Sequence, residues 1–76
     1  MAELLEFLAR KLVDSPDEVR VERVEEEDTV VLRLHVAEDD LGKVIGRQGR
    51  IARALRTIVR AGGVDAGRRL QLEIAD

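Results

Sequence analysis

The chain contains no cysteine, tryptophan or tyrosine, and it has one phenylalanine, one proline, one methionine and one histidine. Each scarcity removes a class of function. Without cysteine there is no disulfide framework, no thiolate metal site and no thiol nucleophile. One histidine cannot form a metal site unaided, and no metal or other cofactor is expected. With one aromatic ring, base stacking of the kind used by RRM and OB folds is closed as a route to nucleic acid, since Phe7 reads as part of the core of the first helix. Uninterrupted apolar runs reach three residues at most, and Glu3 and Glu6 stand where a signal peptide would be basic. The expectation is a cytoplasmic protein with no membrane segment. Ser15, Thr29 and Thr57 are isolated hydroxyls, and the acids at 25 to 28 and 38 to 40 read as a turn and a helix start. No catalytic constellation results, so an enzyme is not expected.

What the chain does hold is an uneven charge. Its formal net charge is -3, yet 41 to 64 carries Lys43, Arg47, Arg50, Arg53, Arg56 and Arg60 and no acid. The other seven cations and all sixteen acids lie elsewhere. A charged stripe is ordinarily a solvated helix face. A stripe kept for solubility, however, interleaves both signs, and this one does not.

Seventy-six residues suffice for one hydrophobic core and therefore one domain, 1 to 76. Leu4, Leu5, Leu8, Leu12 and Val13 recur at helical spacing and predict a helix over about 2 to 14. Pro16 disfavours a helical Ser15 and should send the chain into an extended segment, a strand at about 19 to 24 in which Val19 and Val21 alternate with charged residues. Val30, Leu32, Leu34 and Val36 then alternate with Val31, Arg33 and His35, predicting a strand at about 29 to 37 with His35 facing outward and carrying no chemistry. Acidic residues ahead of Leu41 suit a helix N-terminus and predict a short helix at about 39 to 45. Ile51, Leu55, Ile58 and Val59 predict another at about 50 to 61, halted by Gly62 and Gly63. Val64 to Gly67 reads as a turn, and Leu70, Leu72 and Ile74 alternate in a last strand at about 69 to 75. The fold class is α+β, in the order α-β-β-α-α-β.

Between the two later helices lies "LGKVIGRQGR", with glycine at 42, 46 and 49. Glycine tolerates backbone angles closed to other residues and lets a ligand backbone come close. The helix that follows directs unpaired amides and a positive dipole end at whatever lies over the turn. A P-loop would need Ser or Thr after Gly42-Lys43, and Val44 is there instead. A dinucleotide fingerprint would need a different glycine spacing directly after a strand. A turn that grips the backbone of single-stranded nucleic acid remains, with Gly46, Arg47, Gln48 and Gly49 as the grip, Lys43, Arg50 and Arg53 adding charge, and Val44 and Ile45 as an apolar wall. On a wheel of about 100° per residue, Arg50, Arg53, Arg56 and Arg60 lie opposite the apolar arc. Those nearest the turn are the better placed for a single strand, leaving Arg56 and Arg60 to contribute field or solubility.

"VIGRQG", from Val44 to Gly49, resembles the core motif of the K-homology (KH) domain, and the element order resembles its type II, prokaryotic form. Together with "GKVIGRQGR" and "ALRTIVRA", the likeness covers essentially the whole chain and resembles the KhpA family of small bacterial RNA-binding proteins built from one KH domain. That resemblance implies a three-stranded sheet backed by three helices, and four nucleotides of single-stranded RNA held between the Gly46 to Gly49 turn, with Gly42 nearby, and a neighbouring strand. It also implies an RNA chaperone or post-transcriptional regulator, pairing with itself or with a larger KH-containing bacterial protein linked to cell elongation. The small residues Ala54 and Ala61, with Ile58 on the same side of the apolar arc, are the candidate dimer surface. An alternative reading makes the chain a protein-interaction module in which RNA binding is secondary.

Overall fold

The computed structural model describes residues 1 to 65 and 67 to 75. Helix α1 spans Ala2–Leu12, followed by strands β1 (Arg20–Glu25) and β2 (Thr29–His35), helices α2 (Leu41–Ile45) and α3 (Arg50–Ala61), and strands β3 (Val64–Asp65) and β4 (Arg68–Ile74). Three long strands form a mixed sheet backed by the three helices, in the order that the periodicities indicated.

Strands β1 and β2 are antiparallel, with Arg20 opposite His35 and Glu25 opposite Val30. Strands β2 and β4 are parallel, with Thr29 beside Arg69 and Leu34 beside Ile74. A parallel pair cannot be closed by a hairpin and needs a long crossover. Helices α2 and α3 supply it, and the glycine turn is therefore the midpoint of that crossover.

The period-two pattern decides which face is inside. Val30, Leu32 and Leu34 are buried, and they pack beneath Leu5 and Ala9 of α1, Leu55 and Val59 of α3, and Val44 of α2. Each buried Val or Leu side chain contributes roughly 1.5 to 3 kcal/mol, so a small core of this kind holds all three helices to the sheet. The alternate residues form the outer face, where Glu22, Arg33 and Glu73 line up across three strands. Arg33 Nε donates to Glu73 Oε2 at 3.2 Å, and Arg33 Nη1 lies 3.6 Å from Glu22 Oε1. His35, placed outward as its phase required, pairs with Glu22 at 3.1 Å. That hydrogen bond, ahead of the opposing effect of desolvation and the pull of Arg33, sets the Glu22 carboxyl below its ordinary range.

Three local expectations change. Pro16 does not lead straight into a strand: Pro16–Glu18 forms a single 3-10 turn, and the strand starts at Arg20. The proline ring fixes a φ that suits the first position of a helical turn. Val64 and Asp65, read as part of a turn, form β3 and pair antiparallel with Arg69 and Arg68. The expected turn thus includes a short antiparallel pairing, and its residue Ala66 lies outside the described residues. The helix expected from Asp39 is split, with a 3-10 turn at Glu38–Asp40 ahead of α2.

Candidate nucleic-acid interface

Helix α2 stops because Gly46 takes φ 77 and ψ 172, a conformation closed to residues with a side chain. Its N–H still donates to Gly42 C=O at 2.9 Å. The chain then turns through Arg47 and Gln48 and re-enters a helix at Arg50. Gln48 (φ 58) and Gly49 (φ 73) both adopt left-handed backbone angles. Among the described residues, Gln48 is the one non-glycine with positive φ, a conformation tolerated at a special turn and uncommon elsewhere. A Cβ built on Gly46 would lie 2.6 Å from Ile51 Cγ1, so close approach as well as backbone angle requires glycine there. At Gly49 nothing lies within 4 Å, and only the backbone angle demands it.

The turn therefore hands the chain into α3, a twelve-residue helix. The Arg50 N–H is taken by Arg47 C=O and the Gly49 N–H by Gly46 C=O. The amides that open beside the turn are thus the next ones of the first helical turn, which have no partner within the helix and carry the positive end of its dipole. Arg47, Gln48 and Arg50 are exposed, and Arg50 Nη2 donates to Gln48 Oε1 at 3.2 Å. That bond occupies the Gln48 carbonyl and leaves its amide NH2 as the group it can offer. Among the described residues no acid stands within ion-pair distance of Arg47, Arg50, Arg53, Arg56 or Arg60, and all five are exposed. Ala52, Leu55 and Val59 turn inward from the same helix. One face of α3 is core and the other a run of unneutralised arginines.

Arg56 and Arg60 line a shallow cleft with Gln71 and Leu72 of β4. Strand β3 pairs with β4 only at Arg68 and Arg69. From Gln71 onward, that edge of β4 has no neighbouring strand among the described residues. The cationic side of α3 thus runs beside an open strand edge.

The expected site residues are not all equivalent. Gly42 is exposed on α2 with open space around it. Val44 cannot serve as wall: its relative exposure is 0%, packed with Ala9, Val19 and Leu34. Ile45, 40% exposed, is left to supply the apolar surface. Lys43 is already engaged, with Nζ 3.0 Å from Asp14 Oδ2 and 3.8 Å from Asp40 Oδ1. Its ammonium is held above its ordinary range, chiefly by the hydrogen bond to Asp14. Ala54 and Ala61 are exposed and Ile58 is half-buried, on the flank of α3 away from Arg56 and Arg60.

In the sequence Asp40 is only one of several acids at a helix start. It is 2% exposed, and its carboxylate accepts the backbone N–H of Asp14 at 3.2 Å and of Ser15 at 3.0 Å. It therefore fastens the segment after α1 to the start of α2. No sequence pattern marks such a contact, because the partners are 26 and 25 residues away.

The family model for the KH domain of KhpA and KhpB matches residues 2–74. The RNA-binding protein KhpA of Aquifex aeolicus is 53% identical over 76 residues, spanning 100% of this chain and 96% of that one. The RNA-binding protein KhpA of Clostridium acetobutylicum is 51% identical over 74 residues, 97% of this chain and 99% of that one. The RNA-binding protein KhpA of Bacillus subtilis is 46% identical over 76 residues, covering 100% and 94%. No solved structure matches the chain.

Proposed function

The chain belongs to the KhpA/KhpB KH-domain family, and from that membership we propose that it acts as one KH domain that binds single-stranded RNA through the Gly46 to Gly49 turn. It is not an enzyme. The observation that carries the reading is the turn itself, where left-handed angles at Gln48 and Gly49 bring the chain to the start of α3 beside arginines that have no acid partner among the described residues. A phosphodiester backbone fits this arrangement: it can approach a glycine closely, accept hydrogen bonds from helix amides and meet Arg47, Arg50 and Arg53. Ile45 would pack against a base or sugar, and the open edge of β4 would form the opposite wall. The acidic remainder of the protein repels the polyanion and confines it to this groove.

In this reading the protein works in the bacterial cytoplasm, where its RNA is, as a chaperone or post-transcriptional regulator. Among the described residues no helix is long and apolar enough to cross a membrane. A single groove without aromatic stacking binds weakly, so we take the working unit to be a homodimer or a heterodimer with a larger KH-containing protein. Ile58 supports this: it is half-buried yet belongs to neither core cluster, and Ala54 and Ala61 beside it are exposed.

The test is a gel shift with single-stranded RNA using Arg47→Asp combined with Gln48→Asp. Both side chains are exposed, so the fold should persist while binding is abolished. A folded double variant that binds as tightly as the parent would remove the turn from consideration.

A further inference from the structure

Lys43 sits one turn before the glycine grip, yet two acids already surround it. Asp40 is the fixed one, because its buried carboxylate is held by two backbone N–H groups. One of those belongs to Asp14. The bond that anchors the Asp14 backbone therefore also delivers the Asp14 side chain, 79% exposed, to within 3.0 Å of the Lys43 ammonium. The arginines of the turn and α3 have no such partner among the described residues.

We propose that Asp14 sets the affinity of the RNA site by competing with RNA phosphate for Lys43. The proposal rests on the turn being that site. A phosphate approaching α2 gains Lys43 only by displacing Asp14, and it meets the Asp14 charge while doing so. Asp40 cannot be displaced in the same way, since its oxygens are committed to the backbone. Phosphate capture is then left to Arg47, Arg50 and Arg53 in the resting protein, and Lys43 joins when Asp14 is neutralised. The device keeps a small protein from holding every polyanion that reaches it, because part of its cationic surface is covered by an exposed and replaceable carboxylate.

Asp14→Asn is a mild change, as the anchoring bond uses the main-chain N–H and the side chain lies in solvent. Binding of a labelled oligouridylate and of a mixed-sequence single-stranded RNA would be followed across a salt series for the parent, Asp14→Asn, Lys43→Met, the two combined, and Glu3→Gln. Exposed ion pairs are weak, so Asp14→Asn should tighten binding by about two- to fivefold. Its salt slope should steepen by about 0.7, the value for one further phosphate on a single strand. Adding Lys43→Met should cancel both effects. Glu3→Gln removes the same charge from the other end of α1 and should leave the slope unchanged. The proposal falls if Asp14→Asn binds no more tightly than Glu3→Gln, or if its gain survives in the Lys43→Met background. Arg47→Asp with Gln48→Asp, run in the same series, separates the two levels: loss of binding there with no effect at Asp14 sinks only this proposal, whereas unchanged binding there sinks the site itself.

Discussion

Gly46 and Ile51 stand so close that a Cβ on the glycine would sit 2.6 Å from Cγ1 and 2.9 Å from Cβ of the isoleucine. Ile51 is also among the residues packed against the main core cluster, so it has little room to yield. The turn that presents Arg47 and Gln48 is thereby seated on the core of the fold.

The two glycines of the turn should consequently differ. Gly46→Ala adds about 1 to 3 kcal/mol of backbone strain to an overpacking cost of similar size, roughly 2 to 6 kcal/mol in all. Gly49→Ala carries only the left-handed backbone penalty, about 1 to 2 kcal/mol. Urea denaturation of both variants measures the difference, and equal losses would contradict the proposed contact with Ile51.

Asp40 provides a second stability test. Asp40→Ala leaves the N–H groups of Asp14 and Ser15 without their acceptor in a part-buried junction. The expected cost is about 2 to 4 kcal/mol. Asp40→Asn keeps one acceptor oxygen and should lose about half as much. A melting curve unchanged by Asp40→Ala would show that the junction closes by other means.

The ionic share of RNA affinity follows from which cations lack acid partners. If Arg47, Arg50 and Arg53 each neutralise one phosphate, the log-log dependence of affinity on salt should have a slope of about -2, at roughly 0.7 per phosphate. A flat response would exclude phosphate capture as the main source of affinity. A slope of about -3.5 would bring in Arg56 and Arg60, and one beyond about -4 a second copy.

Ile58→Glu distinguishes a docking surface from core. Because Ile58 is half-buried while its neighbour Val59 is fully buried, the charged variant should keep a cooperative thermal transition. It should also sediment as a monomer and bind RNA less tightly. Loss of the cooperative transition would assign Ile58 to the core, and a parent protein that is itself monomeric at tens of micromolar, with no partner on pull-down, would end the case for association.

Features legible in the sequence are those written in local periodicity. Val30, Leu32 and Leu34 announce a strand, Leu55 and Val59 a helix, and the glycines at 46 and 49 a turn between helices, because each pattern repeats within a few residues. Val44 escaped that logic. In a five-residue helix a wheel has too few positions to separate a buried face from an exposed one, and Val44 and Ile45 look alike in sequence. Strand β3 has two residues and so no period at all. The roles of Asp14 and Asp40 were invisible for a different reason, since both depend on contacts between segments far apart along the chain. An acid ahead of a helix reads as a partner for the helix dipole, and only the packing shows that Asp40 faces inward.

The central claim is that RNA lies over the glycine turn, and amide chemical-shift mapping of the labelled protein during titration with single-stranded RNA tests it most directly. The largest changes are expected at Gly46, Arg47, Gln48 and Gly49, continuing into Arg50 and Arg53 and along the open edge of β4 from Gln71. Changes centred instead on Glu22, Arg33, His35 and Glu73, with the turn unmoved, would place RNA on the outer face of the sheet and contradict the claim.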